Sequence, residues 1–388
     1  MKTYAPLDVC FDRGQGASLF DDKGTEYLDA LSGIAVCGLG HAHPAVTRAI
    51  QAQAEKLLHT SNLYCIQNQQ QLADKLCQVS GMDSVFFSNS GAEANEAAIK
   101  LARLHGNQQN IENPSIIVTD GSFHGRTLAT LTATGNRKVH AGFEPLVQGF
   151  IRAPYNDIEA IKNIAQNSKN IVAILVEPIQ GEGGINQPDI NYLNELREIC
   201  DANGWLLMLD EIQTGMGRTG KWFAFQHSNI KPDVMTLAKG LGNGVPIGAC
   251  VARGKAAELF QPGNHGSTFG GNPLTCAAAS AVIDSISQDN LCQRAAELGE
   301  LILQGFKSQL SDVKGVRAIR GKGLMIGIEL DHDCAELVKS ALQEHCLINV
   351  TAGNVVRLLP PLILSDQQAE TIVEIVSRLI KKFLEPHK

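Results

Sequence analysis

Two charged residues, Asp210 and Lys239, stand where the sequence predicts the ends of buried strands. Asp210 follows the apolar run WLLML of residues 205–209, and Lys239 follows residues 234–238 and opens a glycine-rich stretch, KGLGNGVPIG. A charge at such a position is costly to remove from water unless a partner or a ligand compensates it. Considered alone, Asp210 could be a solvated loop acid, and Lys239 could reach the surface along its aliphatic stem. The chemistry of both residues therefore depends on what lies beside them.

Two other segments carry groups that suit a phosphate and a flat ring. Residues 88–93, SNSGAE, place small residues between a predicted strand and a predicted helix, and the free N–H groups at a helix start bind anions. Residues 122–126, SFHGR, combine an aromatic ring, an imidazole and a guanidinium. In open parallel sheets, ligands bind beyond the carboxyl ends of the strands, so we expect these features to meet there.

One ligand accounts for all four features, namely pyridoxal 5′-phosphate, which has a phosphate, an aromatic ring with a basic nitrogen, and an aldehyde. The helix start would hold the phosphate, and Phe123 would cover one face of the ring. Asp210 would keep the ring nitrogen protonated, which makes the ring an electron sink. Lys239 would form an imine with the aldehyde, helped by desolvation that favours the neutral amine.

Short apolar runs alternate with helical patterns in the middle of the chain, and this predicts an α/β fold with a mainly parallel sheet. The run Ile171–Val176 (IVAILV) is continuous and rich in β-branched residues, as expected for a strand buried on both faces. A helix predicted at Ile190–Asn203 separates this strand from WLLML, so these two strands should be parallel with a right-handed crossover. The other predicted strands are Ser84–Ser88, Ser115–Thr119, Val234–Ala238 and Ile247–Val251.

The last third of the chain has a different pattern, which predicts a smaller second domain. Helices are expected at Leu291–Leu310, Cys334–His345 and Asp366–Leu384, and a strand-like run covers Gly323–Leu330. Two strand-like runs near the start of the chain could pair with this domain. We therefore predict an N-terminal segment at 1–50 that joins the small domain, a large cofactor-binding domain at 51–275, and a small C-terminal domain at 276–388.

Composition argues against several other classes of protein. The net charge is −7 and the pI is about 5.9, whereas a nucleic-acid surface needs a basic face. No apolar stretch approaches the ~18 residues of a membrane span, and the N-terminus has no apolar signal region. The ten cysteines include no C-x-x-C pair, which argues against a zinc site and a disulfide framework. We expect a cytoplasmic protein with reduced thiols, without a metal, a nucleic-acid partner or a membrane partner.

The chain resembles the class III (fold type I) pyridoxal-phosphate aminotransferases almost from end to end. Eight motifs in the family's order carry this resemblance: SGIAVCGLGHAHP (Ser32–Pro44), FFSNSGAEANEAAIKLAR (Phe86–Arg103), SFHGRT (Ser122–Thr127), EPIQGEGG (Glu177–Gly184), LDEIQTGMGRTG (Leu209–Gly220), LAKGLGNGVPIGA (Leu237–Ala249), GSTFGGNP (Gly266–Pro273) and VVRLLPPL (Val355–Leu362). The resemblance implies pyridoxal phosphate as cofactor. It also implies a large domain with a mainly parallel seven-stranded sheet, plus a smaller α+β domain.

The resemblance assigns cofactor roles to individual residues. Lys239 resembles the family's Schiff-base lysine, Asp210 resembles the partner of the pyridine nitrogen, and Gln213 resembles the residue near the ring's 3-hydroxyl. The remaining cofactor positions are Ser90, Gly91 and Ala92 for the phosphate, Phe123 for stacking on the ring, and Thr268, a phosphate ligand that comes from the other subunit. The resemblance therefore implies a homodimer with shared active sites, in which Ser267 lies beside the substrate.

Family members bind an ω-amine in one half-reaction and 2-oxoglutarate in the other. By resemblance, Arg126 would hold the carboxylate common to both substrates through a bidentate contact. Arg357 resembles the arginine that takes the α-carboxylate of glutamate, and Glu182 resembles the acid that neutralises this arginine while the ω-amine is bound. Tyr64 and Tyr4 leave the donor open, since each resembles a position in ornithine aminotransferases.

The implied reaction moves the δ-amino group between N2-acetylornithine and 2-oxoglutarate, giving N-acetylglutamate 5-semialdehyde and glutamate, in arginine biosynthesis. The segment GIAVCGLGHAHP resembles the corresponding segment of the family members that act on acetylornithine. Ornithine, succinylornithine, succinyldiaminopimelate and 4-aminobutyrate stay open as alternative donors.

Other kinds of protein fit the sequence less well. An aminomutase shares this fold, but it does not need 2-oxoglutarate, and the pair Glu182 and Arg357 argues against it. A cofactor carrier without activity would be expected to lose Lys239 or Asp210, and both are present. A dehydrogenase is excluded because no G-x-G-x-x-G motif follows an early strand, and the glycines after Lys239 have the wrong spacing.

Overall fold

The computed structural model describes residues 1–385, which form three sheets with helices packed around them. The strands are β1 (Phe11–Gln15), β2 (Ser18–Asp21), β3 (Glu26–Asp29), β4 (Ser84–Ser88), β5 (Ser115–Thr119), β6 (Phe150–Ala153), β7 (Ile171–Val176), β8 (Leu206–Asp210), β9 (Val234–Leu237), β10 (Gly248–Ala252), β11 (Val316–Lys322), β12 (Met325–Leu330), β13 (Cys346–Leu347), β14 (Asn349–Thr351) and β15 (Val355–Leu358). The helical segments are α1 (Ser32–Ala35), α2 (Pro44–Ala54), α3 (Gln67–Ser80), α4 (Gly91–Gln108), α5 (Leu128–Ala133), α6 (Arg137–His140), α7 (Ile158–Asn167), α8 (Tyr192–Asn203), α9 (Pro273–Gln288), α10 (Leu291–Leu310), α11 (Leu337–Gln343) and α12 (Asp366–Leu384). None of the helices within residues 1–385 has the length and apolar character needed to cross a membrane.

The largest sheet has seven strands in the order β4-β10-β9-β8-β7-β5-β6. Neighbouring strands are parallel except where β10 pairs with β4 and β9. Every residue of β7, β8, β9 and β10 is buried, because helices cover both faces of the sheet. The predicted α/β fold with a mainly parallel seven-stranded sheet is confirmed.

Two smaller sheets are formed by strands from the first 29 residues and from the last third of the chain. One is antiparallel with the order β11-β12-β15-β14, and the other has the order β1-β2-β3-β13. In the second sheet, β13 pairs in parallel with β3, so a strand near residue 346 is hydrogen-bonded to the N-terminal strands. The domain limits given above stay a prediction.

Several element boundaries differ from those expected. The helix predicted from Ile190 begins at Tyr192, and Ile190 is 80% exposed, because the Tyr192 ring and not the Ile190 side chain packs inward. The strand predicted from Gly323 begins at Met325, since Gly323 has a φ of 55° and forms the turn that joins β11 to β12. The sequence pattern missed β11 because its residues are only partly buried and show no clear alternation.

The short segment α1 is a left-handed turn. The φ angles of Ser32, Gly33, Ile34 and Ala35 lie between 47° and 65°. Left-handed geometry costs roughly 1–2 kcal/mol for each residue with a Cβ atom. The turn is held at its start by Asp29, whose Oδ1 accepts hydrogen bonds from the backbone N–H groups of Leu31 (2.9 Å) and Ser32 (2.7 Å).

Arg218 links this turn to the rest of the fold. Its buried guanidinium donates to the carbonyl oxygens of Leu324 (3.1 Å) and Pro360, and it lies 3.5 Å from the Ser32 hydroxyl. Burial lowers the pKa of Arg218 to about 10, so the side chain is still cationic at neutral pH. The loop after β8, the antiparallel sheet and the left-handed turn therefore meet at one buried cation.

We expect Arg218→Ala to lower the free energy of unfolding by about 3 kcal/mol, because it leaves several buried acceptors without a donor. The measurement is urea-induced unfolding followed by circular dichroism. Arg48→Ala is the matched control, since Arg48 is exposed, and it should change stability by no more than ~0.5 kcal/mol. Equal destabilisation by the two substitutions would contradict this role of Arg218.

Candidate active site

A cavity of about 420 Å³ opens beyond the carboxyl ends of β8 and β9. This is the place where open parallel sheets bind their ligands. The structure brings together there most of the residues predicted to bind cofactor or substrate: Ser90, Gly91, Ala92, Phe123, Arg126, Glu182, Asp210, Gln213 and Lys239. Their grouping follows from the strand order, since each lies at or just beyond the carboxyl end of a strand at the same edge of the sheet.

Asp210 is the last residue of β8, and both oxygens of its buried carboxylate accept hydrogen bonds. Oδ2 lies 2.8 Å from the Asn95 amide nitrogen and 2.7 Å from Nδ1 of His124, and Oδ1 accepts from the backbone N–H of Ile212 (3.1 Å). Asn95 is itself oriented by the Thr236 hydroxyl, which donates to its Oδ1 (2.8 Å). The network fixes the direction of the carboxylate at the wall of the cavity.

Lys239 begins a short 3-10 turn (Lys239–Leu241) directly after Ala238. Its φ of 45° lies in the left-handed region, and strain of this kind costs on the order of 1–3 kcal/mol and is found at active sites. Burial lowers the pKa of Lys239 to about 8, while the carboxylates of Glu182 and Asp210 act in the opposite direction. A substantial neutral fraction is therefore present near physiological pH, as a nucleophilic amine requires.

The N-terminus of α4 forms the end of the cavity suited to a phosphate. Ser90 caps this helix, and its hydroxyl accepts from the backbone N–H of Glu93 (3.2 Å). A Cβ atom on Gly91 would lie 2.7 Å from Cδ1 of Ile212, so the helix start packs against Ile212 more closely than a larger residue allows. The free N–H groups and the positive end of the helix dipole favour an anion here.

The residues of the cavity fit pyridoxal phosphate. Gln213 Oε1 is buried without a hydrogen-bond partner in the described part of the chain, and a ring hydroxyl would supply the missing donor. Phe123 and Ile212 both line the cavity and offer apolar contacts for a flat ring. Asp210 would present its oriented carboxylate to a protonated ring nitrogen.

Glu182 and Arg357 form an ion pair beside Lys239. Oε1 of Glu182 lies 2.6 Å from Nη1 of Arg357, and the arginine is only 1% exposed. Burial alone would raise the pKa of Glu182, but the charge and hydrogen bond of Arg357 outweigh it and lower this pKa. The glutamate is therefore ionised and neutralises the arginine in this structure.

Arg357 does not line the cavity itself but pairs with Glu182, which does, and four further predicted site residues lie outside the cavity of a single chain. Tyr4 and Tyr64 are 89% and 68% exposed, and Thr268 is also exposed. Ser267 lies nearer, with its hydroxyl 3.3 Å from the side-chain nitrogen of Asn89, which lines the cavity. The roles given to these four residues stay predictions.

Three residues of the site were not assigned a role from the sequence. Asn95 and His124 orient Asp210, as described above. Glu177 is buried at the cavity wall and accepts from the backbone N–H groups of Phe123 (2.8 Å) and Gly181 (3.1 Å), while burial raises its pKa. Glu177 therefore joins the loop of Phe123 to the glycine-rich loop of Glu182. Its position at the end of a predicted buried strand, like that of Asp210, was the signal available in the sequence.

The pKa of Lys239 makes a testable prediction about cofactor capture. The rate at which cofactor-free protein binds pyridoxal phosphate covalently should rise with pH through about 8, where half of Lys239 is deprotonated, and level off roughly one pH unit higher. The measurement is the growth of the visible absorbance band after rapid mixing. A rate that kept rising toward pH 10, as for an ordinary lysine, would contradict the lowered pKa.

Comparison with known proteins identifies relatives over the whole chain. The family described as aminotransferase class-III matches residues 1–380. An acetylornithine aminotransferase of Nitrosomonas europaea is 60% identical over 385 residues, which cover 99% of this chain and 98% of the relative. The acetylornithine aminotransferase 1 of Bordetella bronchiseptica is 54% identical over 381 residues, which cover 98% of this chain and 97% of the relative.

Solved structures of aminotransferases have the same fold as this chain. The ornithine aminotransferase from Toxoplasma gondii ME49 superposes with a TM-score of 0.96 at 33% identity and covers 100% of this chain and 93% of its own. The acetylornithine aminotransferase from Elizabethkingia anophelis has a TM-score of 0.88 at 35% identity and covers 99% and 96% of the two chains. By its sequence and its fold, this chain belongs to the class III aminotransferase family, whose cofactor is pyridoxal phosphate.

Proposed function

We propose that this protein is a transaminase that moves the δ-amino group between N2-acetylornithine and 2-oxoglutarate. The observation that carries the reaction type is the ion pair of Glu182 and Arg357 beside Lys239, since an arginine that can be neutralised suits two substrates of different charge. The identity of the donor is supported by the relatives with 60% and 54% identity, which are acetylornithine aminotransferases. We further propose that it works in the cytoplasm, in arginine biosynthesis.

Two residues, Asp210 and Lys239, would hold and move protons in this reaction. When bound, pyridoxal phosphate supplies a carbonyl that exchanges amino groups and a ring that accepts electrons. Asp210, oriented by Asn95, would hold a proton on the ring nitrogen. Lys239 would take a proton from the substrate carbon at its Nζ atom and return it, and a pKa of about 8 suits both directions near neutral pH.

The charge pair would let one site accept both substrates. Glu182 would stay on Arg357 while the acetylated donor is bound, because the δ-carbon that carries the reacting amine has no carboxylate to offer this arginine. When 2-oxoglutarate binds, Glu182 would turn away, and Arg357 would take the α-carboxylate by charge-assisted hydrogen bonds. Arg126, exposed at the cavity rim, would bind the carboxylate that the two substrates share.

Ornithine is the second candidate donor, and the high TM-score to the Toxoplasma enzyme favours it. The sequence identity to that enzyme is only 33%, compared with 60% to the Nitrosomonas relative. The two tyrosines that left this donor open, Tyr4 and Tyr64, are exposed on the single chain. We therefore keep acetylornithine as the proposed donor.

A titration without keto acid tests the donor. Cofactor-loaded protein should lose the absorbance band of its lysine-bound cofactor, and gain that of the amino form, at concentrations of N2-acetylornithine at least about tenfold lower than of ornithine. We expect this difference because a site built around a neutral amide leaves the charged α-amine of ornithine without partners.

Lys239→Ala is the control for this titration, since it lacks the amine that transfers the proton and should not convert the cofactor. A stronger response of the unmodified protein to ornithine would make it an ornithine δ-aminotransferase. Failure to form the lysine-bound band with cofactor supplied would overturn the role of Lys239.

We also propose that the protein is a homodimer with shared active sites. Several exposed apolar side chains flank the segment that contains Thr268: Leu57, Leu58, Leu63, Tyr64 and Phe269. The Asn62 side chain joins the two parts of this surface, because it donates to the carbonyl oxygens of Ser267 (3.2 Å) and Gly270 (3.1 Å). An apolar surface beside an exposed predicted phosphate ligand supports burial against a second copy.

Sedimentation should give twice the chain mass of 41.7 kDa. Thr268→Ala should weaken binding of pyridoxal phosphate by roughly tenfold without changing that mass, because one hydrogen bond to a charged phosphate is lost. Thr371→Ala, at an exposed threonine of α12, is the matched control. A monomer, or unchanged cofactor affinity in the Thr268 variant, would contradict the shared site.

A further inference from the structure

The arginine of the charge pair has a second partner, Asn349. The antiparallel register of β14 and β15 places Asn349 directly opposite Arg357. Asn349 Oδ1 accepts from two nitrogens of the guanidinium, Nε at 3.0 Å and Nη2 at 2.8 Å, whereas Glu182 uses Nη1 at 2.6 Å. The two acceptors therefore occupy different edges of one guanidinium group.

The surrounding structure leaves Glu182 as the member of the pair that can move. Arg357 is 1% exposed, but the side chain of Glu182 is 35% exposed. Thr351 lies two residues after Asn349 in β14, on the same face, and its hydroxyl donates to the backbone carbonyl of Glu182. The hairpin thus holds the arginine side chain and the backbone of the acid, and only the carboxylate arm of Glu182 is free to turn.

Strand β12, on the other side of β15, brings no side chain to Arg357. In β12, the residue opposite Arg357 is Gly327. Glycine brings no side chain to the guanidinium, so Asn349 and Glu182 account for all the side-chain hydrogen bonds of Arg357 in the described residues. One of these partners carries a charge and the other is neutral.

We propose that Asn349 is a positioning residue for the keto-acid half-reaction. Its neutral oxygen orients the Nε/Nη2 edge of Arg357 without cancelling the positive charge. The Nη1 atom can then exchange the carboxylate of Glu182 for the α-carboxylate of 2-oxoglutarate while the guanidinium stays in place. This inference rests on the proposed transaminase function and names the residue that keeps its arginine both fixed and charged.

Replacing Asn349 with a carboxylate would keep Arg357 in a fixed orientation but would cancel its positive charge, so it tests these two effects separately. Asn349→Asp keeps the size of the side chain and its acceptor atoms, but it would bind the Nε/Nη2 edge as a permanent ion pair. Arg357 would then be neutralised whether or not Glu182 turns away. The donor half-reaction, in which a neutralised arginine is needed, should proceed, and the keto-acid half-reaction should be impaired.

The test measures the two half-reactions separately by single-turnover absorbance. For Asn349→Asp we expect the apparent dissociation constant of 2-oxoglutarate to rise by about tenfold or more, since a charge-assisted contact is lost. The limiting rate of that half-reaction and the rate with the amine donor should stay within about twofold. Calorimetry with glutarate and the cofactor-loaded protein gives a second readout that needs no reaction, and the same loss of affinity is expected.

Asn354→Asp is the matched control. It places the same charge in the same hairpin, but the Asn354 amide donates to the carbonyl of Leu330 (2.7 Å) and does not contact Arg357. We expect this variant to bind glutarate as the unmodified protein does. If it reproduced the loss seen with Asn349→Asp, a general effect of the charge on the hairpin would replace our proposal.

Other results of these experiments would also contradict the role of Asn349 or leave it supported. Equal loss in both half-reactions of Asn349→Asp, or unchanged glutarate binding, would overturn it. If Asn349→Asp failed to fold, Asn349→Ser would serve, because it shortens the acceptor without adding charge, and unchanged glutarate affinity in that variant would count against Asn349. If the unmodified protein bound glutarate but reacted with neither donor, the proposed donor would be wrong, and the glutarate comparison would still test Asn349.

Discussion

A carboxylate buried at the end of a strand is the constraint on which this site depends. Asp210 would destabilise the fold by several kcal/mol if its charge were left unpartnered in the interior. The structure satisfies it with donors from three elements: Asn95 in α4, His124 in the loop after β5, and the backbone of Ile212. Those donors also aim the carboxylate at the cavity, where a protonated ring nitrogen would complete the compensation. The requirement for stability and the requirement for cofactor binding are therefore met by the same contacts.

The charges of the cavity act on one another. Lys239 lies within the electrostatic influence of Glu182, Arg357, Asp210 and Glu177, and burial is the largest cause of its lowered pKa. In the proposed mechanism, Glu182 would turn away from Arg357, which would make the field at Lys239 more positive and favour the neutral amine further. The carboxylate of the incoming substrate would then restore the balance. The proposed exchange of substrates would therefore be electrostatically coupled to the protonation of Lys239.

Rigid surroundings allow small movements to change the chemistry of the site. The hairpin of β14 and β15 holds Arg357, and the buried Arg218 ties the loop after β8 to the antiparallel sheet and to the left-handed turn α1. The strain of that turn persists because surrounding hydrogen bonds over-determine it. In the proposed mechanism, the carboxylate of Glu182 would move while Lys239, Asp210 and Arg357 stay in place.

The sequence by itself determined the family, the cofactor, the α/β class and the group of residues around Lys239 and Asp210. These features depend on residue type at the ends of apolar runs and on motif order, and both are local properties of the chain. The limits of α10 and α12 also matched their amphipathic patterns. In α12, the capping box of Ser365 marks the start of the helix.

Only the tertiary structure decided which distant residues complete the site. Asn95 and His124 were not predicted from the sequence, and they lie 115 and 86 residues from Asp210. Asn349 faces Arg357 because of a strand register that the amino-acid pattern of a three-residue strand does not specify. Local patterns record which face of an element is apolar, whereas the meeting of polar groups depends on strand order, register and packing, which arise only when the whole chain folds.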